Sequence, residues 1–180
     1  YNLYVDGLKI YTTINSKMQQ YAEESVIEHM KNLQKEFFIQ NDTVSSAPFS
    51  DLDEDEEEII MKRAMRRSER WRKSKLSGKT NDEIEESFNI PTNMSIFSWE
   101  GDIDTLMSPM DSIRYYKHFL RAGMMSMNPK NGHVKAWVGG INYRNFQYDH
   151  VMLSKRQIGS TFKPFLYATA IDQLKLSPCD

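Results

Sequence analysis

The sequence has a single cysteine, Cys179, and no apolar run close to the roughly 20 residues that a membrane-spanning helix needs. One cysteine excludes an internal disulfide and a cysteine-rich metal site. The histidines are scattered without helical pairing or nearby acidic clusters, so we do not expect them to form a metal site. They are His29, His118, His133 and His150. The first residues, YNLYVDG, lack the basic start and apolar core of a signal peptide.

The composition is that of a globular protein. Of the 180 residues, 39% are hydrophobic and 27% are charged, which is sufficient for one ordinary core or two small ones. The formal net charge of −2 gives no global attraction to nucleic acid or anionic lipid. Because the chain starts without methionine and stops at the turn-like SPCD, we expect a piece of a longer protein.

Most of the first two thirds of the chain is predicted to be helical. Residues 7–14 indicate a strand, and Asn15 can then cap a helix over residues 16–38. The apolar positions of this helix recur three to four residues apart, at Met18, Tyr21, Ala22, Val26, Met30, Leu33 and Phe37. Residues 40–51 are a predicted loop. Capping-box spacings at Thr80/Glu83 and Ser108/Asp111 predict helices near 81–88 and 109–121, with a short strand over 93–99 between them.

Residues 53–75 place an acidic block before a basic one, an order that suits a single helix because of the helix dipole. Glu58/Lys62 and Glu69/Lys73 have the i,i+4 spacing of ion pairs. A basic arm for anionic lipid or polymer is one interpretation. A solvated surface helix without lipid affinity is favoured, because Trp71 and the Ile59/Ile60 pair do not form a broad apolar face.

The last third of the chain predicts a β-hairpin followed by a reactive helix. Residues 122–143 show an apolar strand, an NPKNG turn and an alternating strand that ends at Gly139-Gly140. We expect the hairpin to pack on the helix that starts near Ser160, because both apolar faces otherwise lack cover.

SGKT at residues 77–80 is rejected as a phosphate-binding loop, because Lys73 stands where the first glycine is required.

The segment RQIGSTFKPFLYATAI, residues 156–171, places Ser160 and Lys163 one helical turn apart among apolar residues. Apolar surroundings lower the pKa of a lysine toward the range in which its neutral amine can take a proton from a serine hydroxyl. Gly159 lets the chain turn into the helix, and Pro164 stops the regular helix from extending far upstream. The serine then lies at the helix N-terminus, where developing negative charge is favoured.

This segment closely resembles the active-serine segment of penicillin-binding proteins, whose first motif is Ser-x-x-Lys. Upstream, MNPKNGHVKAWVGGINY resembles the first strand pair of their transpeptidase domain. GLKIYTTINSKMQQYAEESV resembles the segment that joins the glycosyltransferase and transpeptidase domains of the bifunctional, class A members. Together these stretches cover about half the chain, whereas residues 41–107 resemble no family segment and are interpreted as a lineage-specific insertion.

The resemblance implies a serine-type D,D-transpeptidase that cross-links peptidoglycan stem peptides. Ser160 is then the nucleophile toward D-Ala-D-Ala, Lys163 the general base, and the Ser160 N–H half of an oxyanion hole. The resemblance implies no cofactor or metal and no nucleic acid. β-Lactams are implied as covalent inhibitors, and cell-wall synthesis proteins as further partners. The implied location is the outer face of the bacterial cytoplasmic membrane, held by an N-terminal anchor outside this sequence.

The family's second and third motifs, Ser-x-Asn and Lys-Thr/Ser-Gly, do not follow Lys163 here, and we expect them beyond Asp180. SFN at 87–89 and KTN at 79–81 lie upstream in the wrong order and receive no role. The expected fold is α+β, in three regions. They are a linker over 1–40, an insertion or interdomain region over 41–121, and the start of a transpeptidase domain over 122–180. The 180 residues by themselves are expected to be inactive.

Two alternatives stay open at this point. One is a related serine D,D-carboxypeptidase or β-lactamase, which the long linker argues against because the compact lactamases lack it. The other is a non-catalytic interaction module, in which residues 1–121 bind partners of the cell-wall machinery.

Overall fold

The computed structural model describes Asn2 and residues 5–44 and 46–177, and it confirms an α+β fold. Cys179 lies outside the described residues. Six α-helices and four strands are assigned within them, and the strands form two separate two-stranded antiparallel sheets. The elements are α1 Ser16–Asn41, α2 Glu54–Arg67, α3 Glu69–Leu76, α4 Asn81–Ser87, β1 Thr92–Ile96, β2 Ile103–Met107, α5 Pro109–Lys117, β3 Met124–Met127, β4 Val134–Val138 and α6 Lys163–Gln173.

The predicted long helix is confirmed as α1, with Asn15 as its N-cap. The Asn15 side-chain oxygen accepts a hydrogen bond from the Met18 N–H at 3.0 Å. The buried face is a single line of residues four apart, Ala22, Val26, Met30 and Gln34. Several apolar residues expected on the buried face, including Met18 and Tyr21, are instead largely exposed. The buried stripe is therefore narrower than the apolar periodicity suggested.

The predicted hairpin is confirmed as β3 and β4, and α1 covers it. Ala136 and Val138 of β4 share a core with Ala22, Val26 and Met30 of α1. Gln19 attaches the helix to the free edge of β4. Its side-chain amide accepts from the Trp137 N–H at 2.7 Å and donates to the Trp137 carbonyl at 2.9 Å. A side chain thus takes the place on this edge that a neighbouring strand would fill.

The strand predicted over residues 7–14 is wrong, because this exposed stretch forms no strand. Its hydrogen bonds to β4, among the residues that the structure describes, lie near its end, where the Thr13 hydroxyl donates to the Val134 carbonyl at 2.7 Å and the Lys135 amine donates to the Thr13 carbonyl at 3.4 Å. Just after this stretch, the Asn15 N–H donates to the Lys135 carbonyl at 2.9 Å. The edge of β4 beyond Lys135 is already occupied by Gln19, so a continuous strand ladder cannot form there.

The helix predicted over residues 53–75 is two helices, α2 and α3, separated at Ser68. Ser68 has an extended backbone, with φ −72° and ψ 153°. Its hydroxyl donates to the Met65 carbonyl at 2.7 Å and accepts from the Trp71 N–H at 3.2 Å, so one side chain ends α2 and begins α3. The predicted ion pairs within this segment are confirmed, Glu58–Lys62 at 2.5 Å and Glu69–Lys73 at 3.1 Å.

The prediction that the acidic-basic segment is a solvated surface helix is wrong for one face of α2, which is buried. Met61 and Met65 of α2 are buried, and Met65 joins Ile84 and Phe88 in a second core. Trp71 of α3 packs against Phe88 with ring centroids 6.5 Å apart. The break at Ser68 turns α3 so that Trp71 reaches this core.

The middle of the chain is linked to α1 by an aromatic cluster and by one buried amide. The predicted strand near residues 93–99 is confirmed as β1, which pairs with β2. Phe97, Phe119 and Phe146 lie with ring centroids 5.2 to 5.7 Å apart and join the α1 core. Gln34 is 0% exposed, accepts from the Leu120 N–H at 2.8 Å and donates to the His118 carbonyl at 3.0 Å.

Both caps predicted for the short helices are present. The Thr80 hydroxyl accepts from the Glu83 N–H, and the Glu83 carboxylate accepts from the Thr80 N–H at 2.8 Å, which forms a capping box. The effect of this cap on stability can be tested. Thr80→Ala should lower the free energy of unfolding by about 1 kcal/mol, measured by urea denaturation. Thr43→Ala, in an exposed turn, serves as control and should change it by less than about 0.5 kcal/mol. Equal losses in both variants would contradict the role of the cap.

Candidate functional site

The Ser-x-x-Lys segment forms the start of the last helix. Gly159 has a positive φ of 55°, which favours glycine, and a 3-10 turn over Gly159–Phe162 leads into α6. The Lys163 N–H bonds to the Ser160 carbonyl within this turn, and Pro164 lies in the first turn of α6. Ser160 therefore lies at the N-terminal end of the helical segment, where the sequence placed it.

The side chains of Ser160 and Lys163 are both exposed. Within the described part of the chain, no hydrogen bond joins the serine hydroxyl to the lysine amine. The two residues are one turn apart on the backbone, so rotation of the flexible lysine side chain is sufficient to bring the amine toward the hydroxyl. The apolar enclosure expected around the lysine is not provided by the described residues.

The expected packing of the hairpin on the Ser160 helix is wrong. No residue of α6 is buried, and its large apolar side chains are 47% to 68% exposed, with Ile171 at the low end and Phe165 at the high end. The reason lies in α1, which covers the apolar side of the hairpin instead. The helix that carries Ser160 and Lys163 thus presents an uncovered apolar surface.

A pocket of about 500 Å³ lies between α1, the end of β4 and the loop that follows it. Val26, Val138 and Phe146 contribute apolar walls, and Glu23 and Asp149 contribute carboxylates. Neither Ser160 nor Lys163 lines it. The pocket is therefore separate from the residues predicted to carry the chemistry.

The Asp149 carboxylate holds the loop after β4 in place. It accepts from the Trp137 indole N–H at 2.9 Å and from the Val151 and Met152 backbone N–H groups at 2.9 and 3.0 Å. Gly139 lies against this carboxylate, and a Cβ at this position would be 3.0 Å from it. This contact was not predictable from the sequence, because the eleven residues between Trp137 and Asp149 carry no pattern that signals it.

These hydrogen bonds predict a pH dependence of stability. The bond from the Met152 N–H and those from Trp137 and Val151 lower the pKa of Asp149 below its usual value. The stabilisation is therefore present above the unfolded-state pKa of about 4 and is lost as the pH falls through the lower folded-state pKa. Urea denaturation from pH 6 to pH 3 should show Asp149→Asn less stable than wild type, with the gap narrowing below about pH 4. A gap that stays constant over this range would contradict the prediction.

Neither a metal-binding cluster nor a membrane-spanning helix is found among the described residues. Within residues 5–44 and 46–177 and Asn2, no group of three or more histidine, cysteine or acidic side chains could hold a metal ion. Among the helices of those same residues, none has the length and apolar character required to cross a membrane.

Comparison with known proteins relates the chain to one family. The family model described as the penicillin-binding protein middle domain matches residues 44–120. Penicillin-binding protein 1A of Aquifex aeolicus is 25% identical over 178 residues, which are 93% of this chain and 23% of the relative. The chain is therefore similar to penicillin-binding proteins in its middle segment and, at lower identity, over most of its length. This confirms the resemblance to class A penicillin-binding proteins that was inferred from the sequence motifs.

Shorter matches reach higher identity. Penicillin-binding protein 1A of Pseudomonas aeruginosa is 38% identical over 52 residues, which are 29% of this chain and 6% of the relative. Penicillin-binding protein 1A of Escherichia coli is 39% identical over 54 residues, 30% of this chain and 6% of the relative. The chain spans 6% to 23% of the length of these three relatives. No solved structure matches the chain significantly.

The family match changes the interpretation of the middle segment. Residues 41–107 were interpreted as an insertion specific to this lineage, yet the family model covers residues 44–120. This stretch therefore matches a domain that penicillin-binding proteins share. The boundaries of the three regions proposed from the sequence remain predictions.

Proposed function

We propose that this chain carries the active-serine segment of a serine D,D-transpeptidase that cross-links peptidoglycan stem peptides. The observation that supports this is the placement of Ser160 at the start of a helical segment, one turn before Lys163, in a chain whose residues 44–120 match the penicillin-binding protein middle domain. Unpaired N–H groups and the helix dipole favour developing negative charge at such a position.

The proposed reaction proceeds through an acyl-enzyme. The Ser160 hydroxyl oxygen attacks the carbonyl carbon of the D-Ala-D-Ala bond while the Lys163 amine takes the hydroxyl proton. The Ser160 N–H stabilises the resulting oxyanion, and the terminal D-Ala leaves with a proton. The amine of a second stem peptide then attacks the serine ester, which forms the cross-link and returns the serine hydroxyl. β-Lactams would acylate the same oxygen.

The remaining parts of the proposal concern the longer protein to which we assign this chain, called the parent protein below. We propose that it carries a glycosyltransferase domain upstream and an N-terminal membrane anchor, and that this chain lies on the outer face of the bacterial cytoplasmic membrane. Other cell-wall synthesis proteins are its proposed partners. This part of the proposal rests on the resemblance to class A penicillin-binding proteins.

Locating a β-lactam adduct tests the nucleophile directly. The parent protein is incubated with penicillin, digested with trypsin and analysed by mass spectrometry. The adduct is expected on the peptide of residues 157–175, because trypsin cuts after Arg156 and Lys175 but not before Pro164. Fragmentation should place it on Ser160 and not on Thr161 or Thr169. A stoichiometric adduct at another serine would overturn the assignment of Ser160, and the absence of any adduct would overturn the proposal and favour the interaction-module alternative.

A further inference from the structure

The pocket between α1, the end of β4 and the following loop is rich in aromatic side chains and carries charge of one sign. Its volume of about 500 Å³ lies within the range of small-molecule sites. The charged residues in its lining are Glu23 and Asp149, and no lysine, arginine or histidine joins them among the described residues. The aromatic residues in the lining are Trp137, Tyr143, Phe146 and Tyr148. Below, this cavity is called the Trp137 pocket.

Both carboxylates of the Trp137 pocket are positioned by contacts with Trp137. The Asp149 carboxylate accepts from the Trp137 indole N–H at 2.9 Å. The Gln19 side-chain amide, which bonds to the Trp137 backbone N–H and carbonyl, also donates to the Glu23 carboxylate at 2.7 Å. One negative charge is therefore attached to the indole ring and the other, through Gln19, to the backbone of the same tryptophan.

Neither negative charge is neutralised by an ion pair with a residue that the structure describes. The hydrogen bonds that Asp149 accepts lower its pKa, so it is a carboxylate at neutral pH. The Arg121 guanidinium lies 3.6 Å from the centroid of the Phe146 ring, but Arg121 is not part of the lining. Carboxylates beside the faces of aromatic rings attract a cation and repel an anion.

We propose that the Trp137 pocket binds an organic cation, an ammonium or guanidinium group carried on an apolar body. The Glu23 and Asp149 carboxylates and the aromatic rings attract the cationic group, and walls such as Val26 and Val138 contact the apolar body. An uncharged ligand such as a saccharide fits less well, because it would leave both negative charges without a partner. The proposal goes beyond the transpeptidase function and does not depend on it, since neither Ser160 nor Lys163 lines the pocket.

Binding is tested by nuclear magnetic resonance on the 180-residue chain, with benzylamine as the probe and benzyl alcohol as its uncharged counterpart. The readout is the indole N–H signal of Trp137, because this group bonds to Asp149 at the pocket. The indole signal of Trp71, which lies on α3 outside the lining, is the internal control. Benzylamine should shift the Trp137 signal in a saturable way, with a dissociation constant of about 1–10 mM for so small a ligand. Benzyl alcohol should bind at least about fivefold more weakly, because it lacks the charge.

Two variants test the residues that carry the proposal. Glu23→Gln removes one charge but keeps an oxygen that can accept from Gln19, and it should weaken benzylamine binding by about fivefold. Tyr143 is 81% exposed, so Tyr143→Leu removes an aromatic ring without touching the core and should weaken binding by at least about twofold. Circular dichroism establishes that each variant folds.

Glu24→Gln is the matched control for Glu23→Gln. The Glu24 carboxylate accepts from Gln20 at 2.8 Å, which is the same arrangement one position further along α1, but Glu24 does not line the pocket. This variant should bind benzylamine as wild type does.

Several results would overturn the proposal. They are the absence of a saturable shift at the Trp137 signal up to about 50 mM benzylamine, well above the expected dissociation constant, and equal affinity for benzyl alcohol. Unchanged benzylamine affinity in both Glu23→Gln and Tyr143→Leu would do so too, as would an equal loss in Glu24→Gln and Glu23→Gln. Each of these results is independent of whether Ser160 is acylated, so it leaves the proposed function unaffected.

Discussion

Ser160→Ala is expected to abolish labelling of the parent protein by a fluorescent penicillin. The label is an ester on the serine oxygen, so removing that oxygen removes the site of attachment, whereas losing other catalytic groups only slows attachment. Lys163→Ala should lower the labelling rate by about 100- to 10,000-fold, the usual range for loss of a general base. Thr161→Ala is the matched control, because it removes the neighbouring hydroxyl and should leave labelling intact.

The 180-residue chain alone is expected to stay unlabelled while the parent protein is labelled completely. Ser160 and Lys163 are exposed here, and the described residues supply no enclosure around them. Loss of one oxyanion donor typically costs about 100- to 1000-fold in rate, and losses of several groups together can be non-additive. Labelling is followed by in-gel fluorescence over the same time course for both proteins.

Two outcomes would contradict these expectations in different ways. Full labelling of the Ser160→Ala parent protein would refute the assignment of the nucleophile. Rapid labelling of the isolated chain that is lost in Ser160→Ala would keep the nucleophile and show that the described residues contain a sufficient site.

Gln34→Leu should destabilise the chain by about 2–5 kcal/mol, although leucine has nearly the same size and is more apolar. The substitution leaves the Leu120 N–H and the His118 carbonyl without the partner that each has in the buried Gln34 amide. An unsatisfied buried backbone group costs about 1–3 kcal/mol, and two such groups arise together. The free energy of unfolding is measured by urea denaturation followed by circular dichroism.

Gln20→Leu is the matched control on the same helix. Gln20 is exposed, and its side chain donates to the Glu24 carboxylate on the surface, so the change should be within about 0.5 kcal/mol. Similar stability of Gln34→Leu and wild type would show that the buried amide does not join α1 to the end of α5.

Some of the fold was predictable because its causes are local. Asn15 caps α1, Thr80 and Glu83 form a capping box, and the NPKNG turn joins two paired strands, as the sequence patterns predicted. In each case the donor and acceptor lie within a few residues of one another, so their spacing along the chain determines whether they can meet.

Gln34 shows where such patterns mislead. A glutamine in a helix is usually a surface residue, and the apolar periodicity of α1 assigned the buried face to Leu33 and Phe37 instead. Its four-residue spacing from Met30 was a signal that could have identified it. Gln34 is buried because its amide bonds to the His118 carbonyl and the Leu120 N–H. No local sequence pattern predicts that these two groups lie beside it.

The sequence by itself determined the long first helix, the helix caps, the hairpin and the spacing of Ser160 and Lys163, since these depend on neighbours along the chain. Only the tertiary structure decided which surfaces meet. Gln19 occupies the edge of β4 and leaves residues 7–14 without a strand partner. Ser68 turns α3 toward Phe88, and α1 covers the hairpin where α6 was expected. These outcomes depend on competition between distant segments for the same surface, and local propensity contains no information about which segment prevails.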